Sequence, residues 1–132
     1  MKPKMFVIMP MHDKAVAESK ISVINQMKTL HGWDVFLPRY DRQNPSFDLS
    51  NIIDEVADCA VVFADLTGER PSCYFELGVA ETLSKPIVIA AEIETDIHQT
   101  SYRDKVNFFA GLDQFQILVS ATMLEYQKAM AS

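Results

Sequence analysis

A chain of 132 residues with 48% hydrophobic and 23% charged residues has the make-up of one soluble globular domain, long enough to bury about two-thirds of its unfolded surface without disulfides. A formal charge of −6, from 12 Lys+Arg against 18 Asp+Glu, with the basic residues scattered, excludes a nucleic-acid groove, which needs a basic stripe. Cys59 and Cys73 have neither metal-ligand nor CxxC spacing and read as reduced, buried thiols, and the apolar run near the N-terminus is too short for a signal peptide or membrane span, so a cytoplasmic location is expected.

The run MFVIMP (5–10), ended by proline, suits a strand buried on both faces of a parallel sheet. From Lys14 to His31, Val16, Ile21, Ile24, Met27 and Leu30 recur at helical spacing, and Gly32 ends that helix. DVFLP (34–38) reads as a second strand, followed by a polar loop. LSNIIDEVADC (49–59) reads as a helix with Leu49, Ile52, Ile53 and Val56 inward and Asp48 near its N-terminus. AVVFADL (60–66) is the most strand-like segment. YFELGVAETLSK (74–85) reads as a helix, PIVIAAE (86–92) as a strand and TSYRDKVNFFAG (100–111) as a helix closed by Gly111. QFQILVS (114–120) reads as the last strand and ATMLEYQKAMA (121–131) as the last helix.

Strands and helices alternating five times imply a three-layer α/β sandwich with a five-stranded parallel sheet, Rossmann- or flavodoxin-like, in the order 2-1-3-4-5. Ligands of such sheets bind outside the strands' carboxyl ends, where the order reverses between the first and third strands. The loops there are MPMHDK after the first strand and DLTGERPSCY after the third.

In that second loop Asp65 ends a buried strand, and two roles are open to it: bracing the following turn through backbone N–H groups, or facing the crevice. Gly68 supplies a positive φ, while Thr67 and Gly68 offer a hydroxyl and amides. Glu76, placed in the first turn of a helix, is a carboxylate that the free N–H groups and the dipole keep ionised. It serves either as a cap or as a nucleophile. Gly78 inside the helix costs roughly 1 kcal/mol relative to alanine, which points to a close approach by a strand or a ligand.

The stretch DLTGERPSCYFELGVAETLSKPIVI resembles the nucleoside 2-deoxyribosyltransferase superfamily, in which an aspartate-ended strand leads to a tyrosine or methionine, Glu-Leu-Gly, a helix, Lys-Pro and the next strand. That superfamily includes deoxyribosyltransferases, Rcl-like nucleoside-monophosphate N-glycosidases and TIR-like relatives. The resemblance implies that Glu76 attacks the anomeric carbon of a nucleoside or nucleotide and expels the base without a cofactor or metal. Asp65 and Tyr74 would assist. Met9, Pro10, Met11, His12, Thr67, Gly68 and Ser72 would contact the substrate.

The resemblance also implies an aspartate that holds a sugar hydroxyl, for which Asp48, Asp54 and Ser50 compete. Relatives complete each site with a neighbouring subunit, so a homo-oligomer is expected, with Ser101, Arg103 or Asn107 contributed across the interface and Phe108 and Phe109 packed in it or in the core. The loop Met9-Pro10-Met11-His12-Asp13 lacks the glycine-rich turn of many members and is closer to the TIR-like branch. A second reading therefore stands beside the first: a TIR-like module that binds a nucleotide without turnover, or one that cleaves NAD.

Overall fold

In a computed structural model, residues 2–38, 49–98 and 100–131 are described, and Asp48, one of the sugar-binding candidates, lies outside them. β1 (Lys4–Ile8), β2 (Asp34–Phe36), β3 (Val61–Asp65), β4 (Ile87–Glu92) and β5 (Val106–Phe109) form one parallel sheet in the order β2-β1-β3-β4-β5. The helices are α1 (Lys14–His31), α2 (Leu49–Asp58), α3 (Pro71–Thr82), the four-residue α4 (Thr100–Arg103) and α5 (Gly111–Ala131), with a 3-10 turn at Thr67–Glu69.

Strand side chains alternate between faces, and this sorts the core into two clusters. Met5, Val7, Val61 and Phe63 meet Ala17, Ile24 and Met27 of α1 and Phe115, Val119 and Met123 of α5. Phe6, Ile8, Val62 and Ala64 meet Ile52 and Val56 of α2 and Cys73, Leu77 and Ala80 of α3. The sheet is thus the middle of three layers, and both cysteines are free, buried thiols. At the amino end Lys4 joins Glu55 and Asp58 at 2.8 and 3.0 Å, tying β1 to α2. Two hydrogen bonds and two carboxylates push the Lys4 ammonium pKa up.

Several sequence expectations are corrected. The fifth strand is 106–109, not 114–120, and the helix expected over 100–111 is a single turn. Phe115, Val119 and Met123 recur every four residues and are fully buried, so QFQILVS has the period of a helix rather than of a strand. Gly111 opens α5 instead of closing a helix: its φ is +78°. Its N–H donates to Glu92 Oε1, and Gln114 Oε1 accepts from the Ala110 N–H, a side-chain cap of the kind that starts helices.

The buried stripe of α1 is Ala17, Lys20, Val23, Ile24 and Met27, while Val16 and Leu30 are exposed. In α2, Leu49 and Ile53 face outward and line an apolar groove with Phe75, Gly78 and Leu83 of the α3 side. Among the described residues nothing lies within 4 Å of where a Gly78 Cβ would stand, so no strand approaches it closely. Finally, α3 begins at Pro71, whose fixed φ and missing N–H suit the first helical position. Glu76 is therefore in the second turn, beyond the free N–H groups that the first turn would have offered.

Candidate active site

The crevice between β1 and β3 is bounded by the end of β1, the turn after β3 and α3, which packs over both strands. Glu76 lies on the buried face of α3 with Cys73, Leu77 and Ala80, and is 5% exposed. Burial, reinforced by the negative charges of Glu76 and Asp65, pushes the Cys73 thiol up to about 12. A thiol so raised is inert at neutral pH.

Asp65 shares its side of β3 with Val61 and Phe63, the side covered by α1 and α5. Its carboxylate is fully buried. Oδ2 accepts from Lys20 Nζ at 2.6 Å, and Oδ1 accepts from both the N–H and the hydroxyl of Thr67. Of the two roles open to Asp65, the structure shows the brace. The sequence reading does not single out Lys20, the partner of Asp65. The signal was a lysine three residues after Ala17 and four before Ile24, within an apolar stripe where a charge demands a partner.

Thr67 is equally engaged, since its Oγ1 also accepts from the Glu92 N–H at 2.9 Å. Gly68 adopts φ +74°, as the turn reading requires. Ser72 is exposed in the first turn of α3.

Tyr74 turns away from Glu76. Its hydroxyl donates to Glu69 Oε1 at 2.8 Å, and its ring stacks on Tyr102 at 6.3 Å. Burial and the Glu69 contact raise the Tyr74 pKa, and burial with a Glu81 hydrogen bond takes Tyr102 up to about 12. Glu69, at φ +49°, also accepts from the His98 N–H at 2.8 Å and from His98 Nδ1 at 2.6 Å. These bonds, the backbone one first, hold its carboxyl down to about 2, and Glu69 in turn raises His98. The pair clasps the segment after β4 onto the turn after β3.

In the loop after β1, Met9 and Pro10 are buried, Met11 is half-buried and His12 is exposed. Asp13 caps α1 by accepting from the Val16 N–H at 3.3 Å. Asn107 sits on edge strand β5, separated from β3 by β4, and donates to the Ile89 carbonyl at 3.0 Å. Phe109 is core and Phe108 is exposed. Arg103 Nε donates to the Ile97 carbonyl; Ser50, Asp54 and Ser101 are exposed. The structure thus puts Thr67 and Ser72 at the start of α3 and Glu76 on its buried face, sends the Asp65 side chain to the opposite side of the sheet, and leaves Asn107 two strands from β3.

The sequence matches no family model and no curated protein. Its fold matches that of solved structures. A Clostridium botulinum CMP N-glycosidase, BcmB, is 16% identical with a TM-score of 0.61, over 92% of this chain and 98% of that one. A 2-deoxyribosyltransferase from Bacillus psychrosaccharolyticus is 17% identical with a TM-score of 0.63, over 91% and 95%. The Escherichia coli constitutive lysine decarboxylase contains the same arrangement in 17% of its length, at 16% identity and a TM-score of 0.57 over 96% of this chain, so the fold by itself does not fix an activity. The chain therefore has a five-stranded parallel α/β fold shared with the CMP N-glycosidase and the 2-deoxyribosyltransferase.

Proposed function

We propose that the protein cleaves the N-glycosidic bond of a nucleoside or nucleoside monophosphate, with Glu76 as nucleophile. The observation that carries this reading is a buried glutamate on the inner face of α3, over the β1–β3 crevice, in a fold shared with an enzyme named as a CMP N-glycosidase and one named as a 2-deoxyribosyltransferase. Glu76 attacks the anomeric carbon as the carbon–nitrogen bond breaks, giving a glycosyl ester and the departing base. Water, or a second base, then displaces the carboxylate and regenerates it.

Both Asp65 oxygens already accept hydrogen bonds, so Asp65 braces the site and the base takes its proton from water. A neighbouring subunit completes the site in this reading, with Asn107 on the exposed edge beside Phe108. Incubation with a mixed panel of nucleosides and nucleotides, followed by chromatography, should show a free or exchanged base, abolished by Glu76→Ala. A folded wild-type protein that releases no base defeats the proposal.

A second reading, nucleotide binding without turnover, draws on the internal commitments of Asp65, Thr67 and Tyr74. It expects thermal stabilisation by a nucleotide recovered intact, persisting in Glu76→Gln. Release of nicotinamide would instead mark NAD as the substrate.

A further inference from the structure

The carboxyl rim of the sheet carries a run of polar contacts that extends beyond the Asp65 brace. Lys20 Nζ on α1 donates to Asp65 Oδ2 at the end of β3. Asp65 Oδ1 accepts from the Thr67 N–H and hydroxyl, and Thr67 Oγ1 accepts from the Glu92 N–H at the end of β4. Glu92 Oε1 accepts from the N–H of Gly111, the first residue of α5. The circuit closes on itself, because the Lys20 ammonium lies 5.2 Å from the Phe109 ring centroid and 5.4 Å from that of Phe115 on α5.

A buried lysine does not tolerate an orphaned charge, since a lost partner strands it. The Lys20–Asp65 contact is buried, the Thr67 contacts are half-buried and the Gly111–Glu92 contact lies at the surface, so the coupling runs from the interior outward. Thr67 is the pivot, with one oxygen that both donates towards β3 and accepts from β4. We propose that Lys20, Asp65, Thr67 and Glu92 form one cooperative brace that couples the N-terminus of α5 to the 67–69 turn leading into α3. A change at either end of the circuit is then felt at the other. The brace stands whether or not Glu76 is a nucleophile.

Each link has its own backbone reporter. The amides of Thr67, Glu92 and Gly111 are donors within the circuit, and the Glu69 N–H, bonded to the Leu66 carbonyl, reports the turn. The amides of Asp34 and Val62, bonded to Pro3 and Pro86 at the amino end of the sheet, are controls. Native-state hydrogen exchange followed by NMR on the full chain reads all of them.

Relative to the controls, Lys20→Met should lower protection about tenfold or more at all four reporters, the size expected for loss of one buried hydrogen bond. Thr67→Val should do so at Glu92 and Gly111. Coupling is reciprocal, so Glu92→Ala should loosen the Thr67 and Glu69 amides from the other end. Loss confined to the residues next to each substitution, or no greater than at the controls, overturns the brace. Should Lys20→Met fail to fold, Thr67→Val and Glu92→Ala decide the question by the same readings.

Discussion

Two carboxylate–cation pairs stand on the same rim of the sheet at the same separation of 2.6 Å, and their surroundings differ. Lys20–Asp65 is 5% and 0% exposed, whereas in His98–Glu69 the histidine is 74% exposed and the glutamate 21%. The first has no water to fall back on, so breaking it strands a charge. The second is bathed in solvent that screens it and replaces it. Equal length therefore conveys nothing about weight: the buried pair organises the rim, and the exposed pair fastens a loop to it.

The strongest way to break this contrast is to truncate Lys20. Lys20→Ala should destabilise the protein by about 3–5 kcal/mol in denaturant titration, the cost of an uncompensated buried carboxylate. The double change Lys20→Met, Asp65→Asn should lose less than the two single changes added together, because no charge is left stranded. Additive losses would mean that the pair is not a unit.

Between the two pairs lies Gly68 at φ +74°. Gly68→Ala should cost about 1–2 kcal/mol through the left-handed conformation alone, since nothing among the described residues lies near the added methyl group.

The smallest effects belong to the exposed pair and sharpen the contrast through pH and salt. Glu69 is lowered from 4.5 to about 2, so its contribution is present above its ordinary value and fades as pH falls towards 2. His98 is raised above 6.5, so its contribution is full below that value and fades as pH rises through the raised pKa. The clasp is thus complete between about pH 4.5 and 6.5. The imidazole titration of His98 followed by NMR should move down on Glu69→Gln and on addition of 1 M salt, where the screening length is about 3 Å. An unmoved titration would detach His98 from Glu69. The same salt should leave the amides next to Lys20 and Asp65 unchanged.

The sheet order was legible because short apolar runs alternating with helical periods admit few topologies. Gly32 and Gly68 were legible for the same reason that they are used: each takes a positive φ. The fifth strand was misplaced because VNFF, four residues with two exposed, leaves a weaker trace than the apolar QFQILVS, and the period of four through Phe115, Val119 and Met123 was outweighed by that local run.

At the site, the motif led to Glu76 and Asp65 but not to their sides of the sheet. Strand parity sends Asp65 to the α1–α5 face, and only the three-dimensional packing supplies Lys20, 45 residues earlier, as its partner. Tyr74 is paired with Glu76 in the sequence reading by the family resemblance. A separation of two on a helix points the two side chains apart, and the tyrosine hydroxyl goes to Glu69 instead.

In the proposed function the chemistry falls to Glu76 and a supporting role to Asp65. Chromatography of a nucleoside and nucleotide panel with wild type, Glu76→Ala and Asp65→Asn tests that division directly. The predicted result is base release by wild type, none by Glu76→Ala, and a reduced but measurable rate in folded Asp65→Asn. Base release that survives in Glu76→Ala, or its absence from every substrate with the wild-type protein, would contradict it.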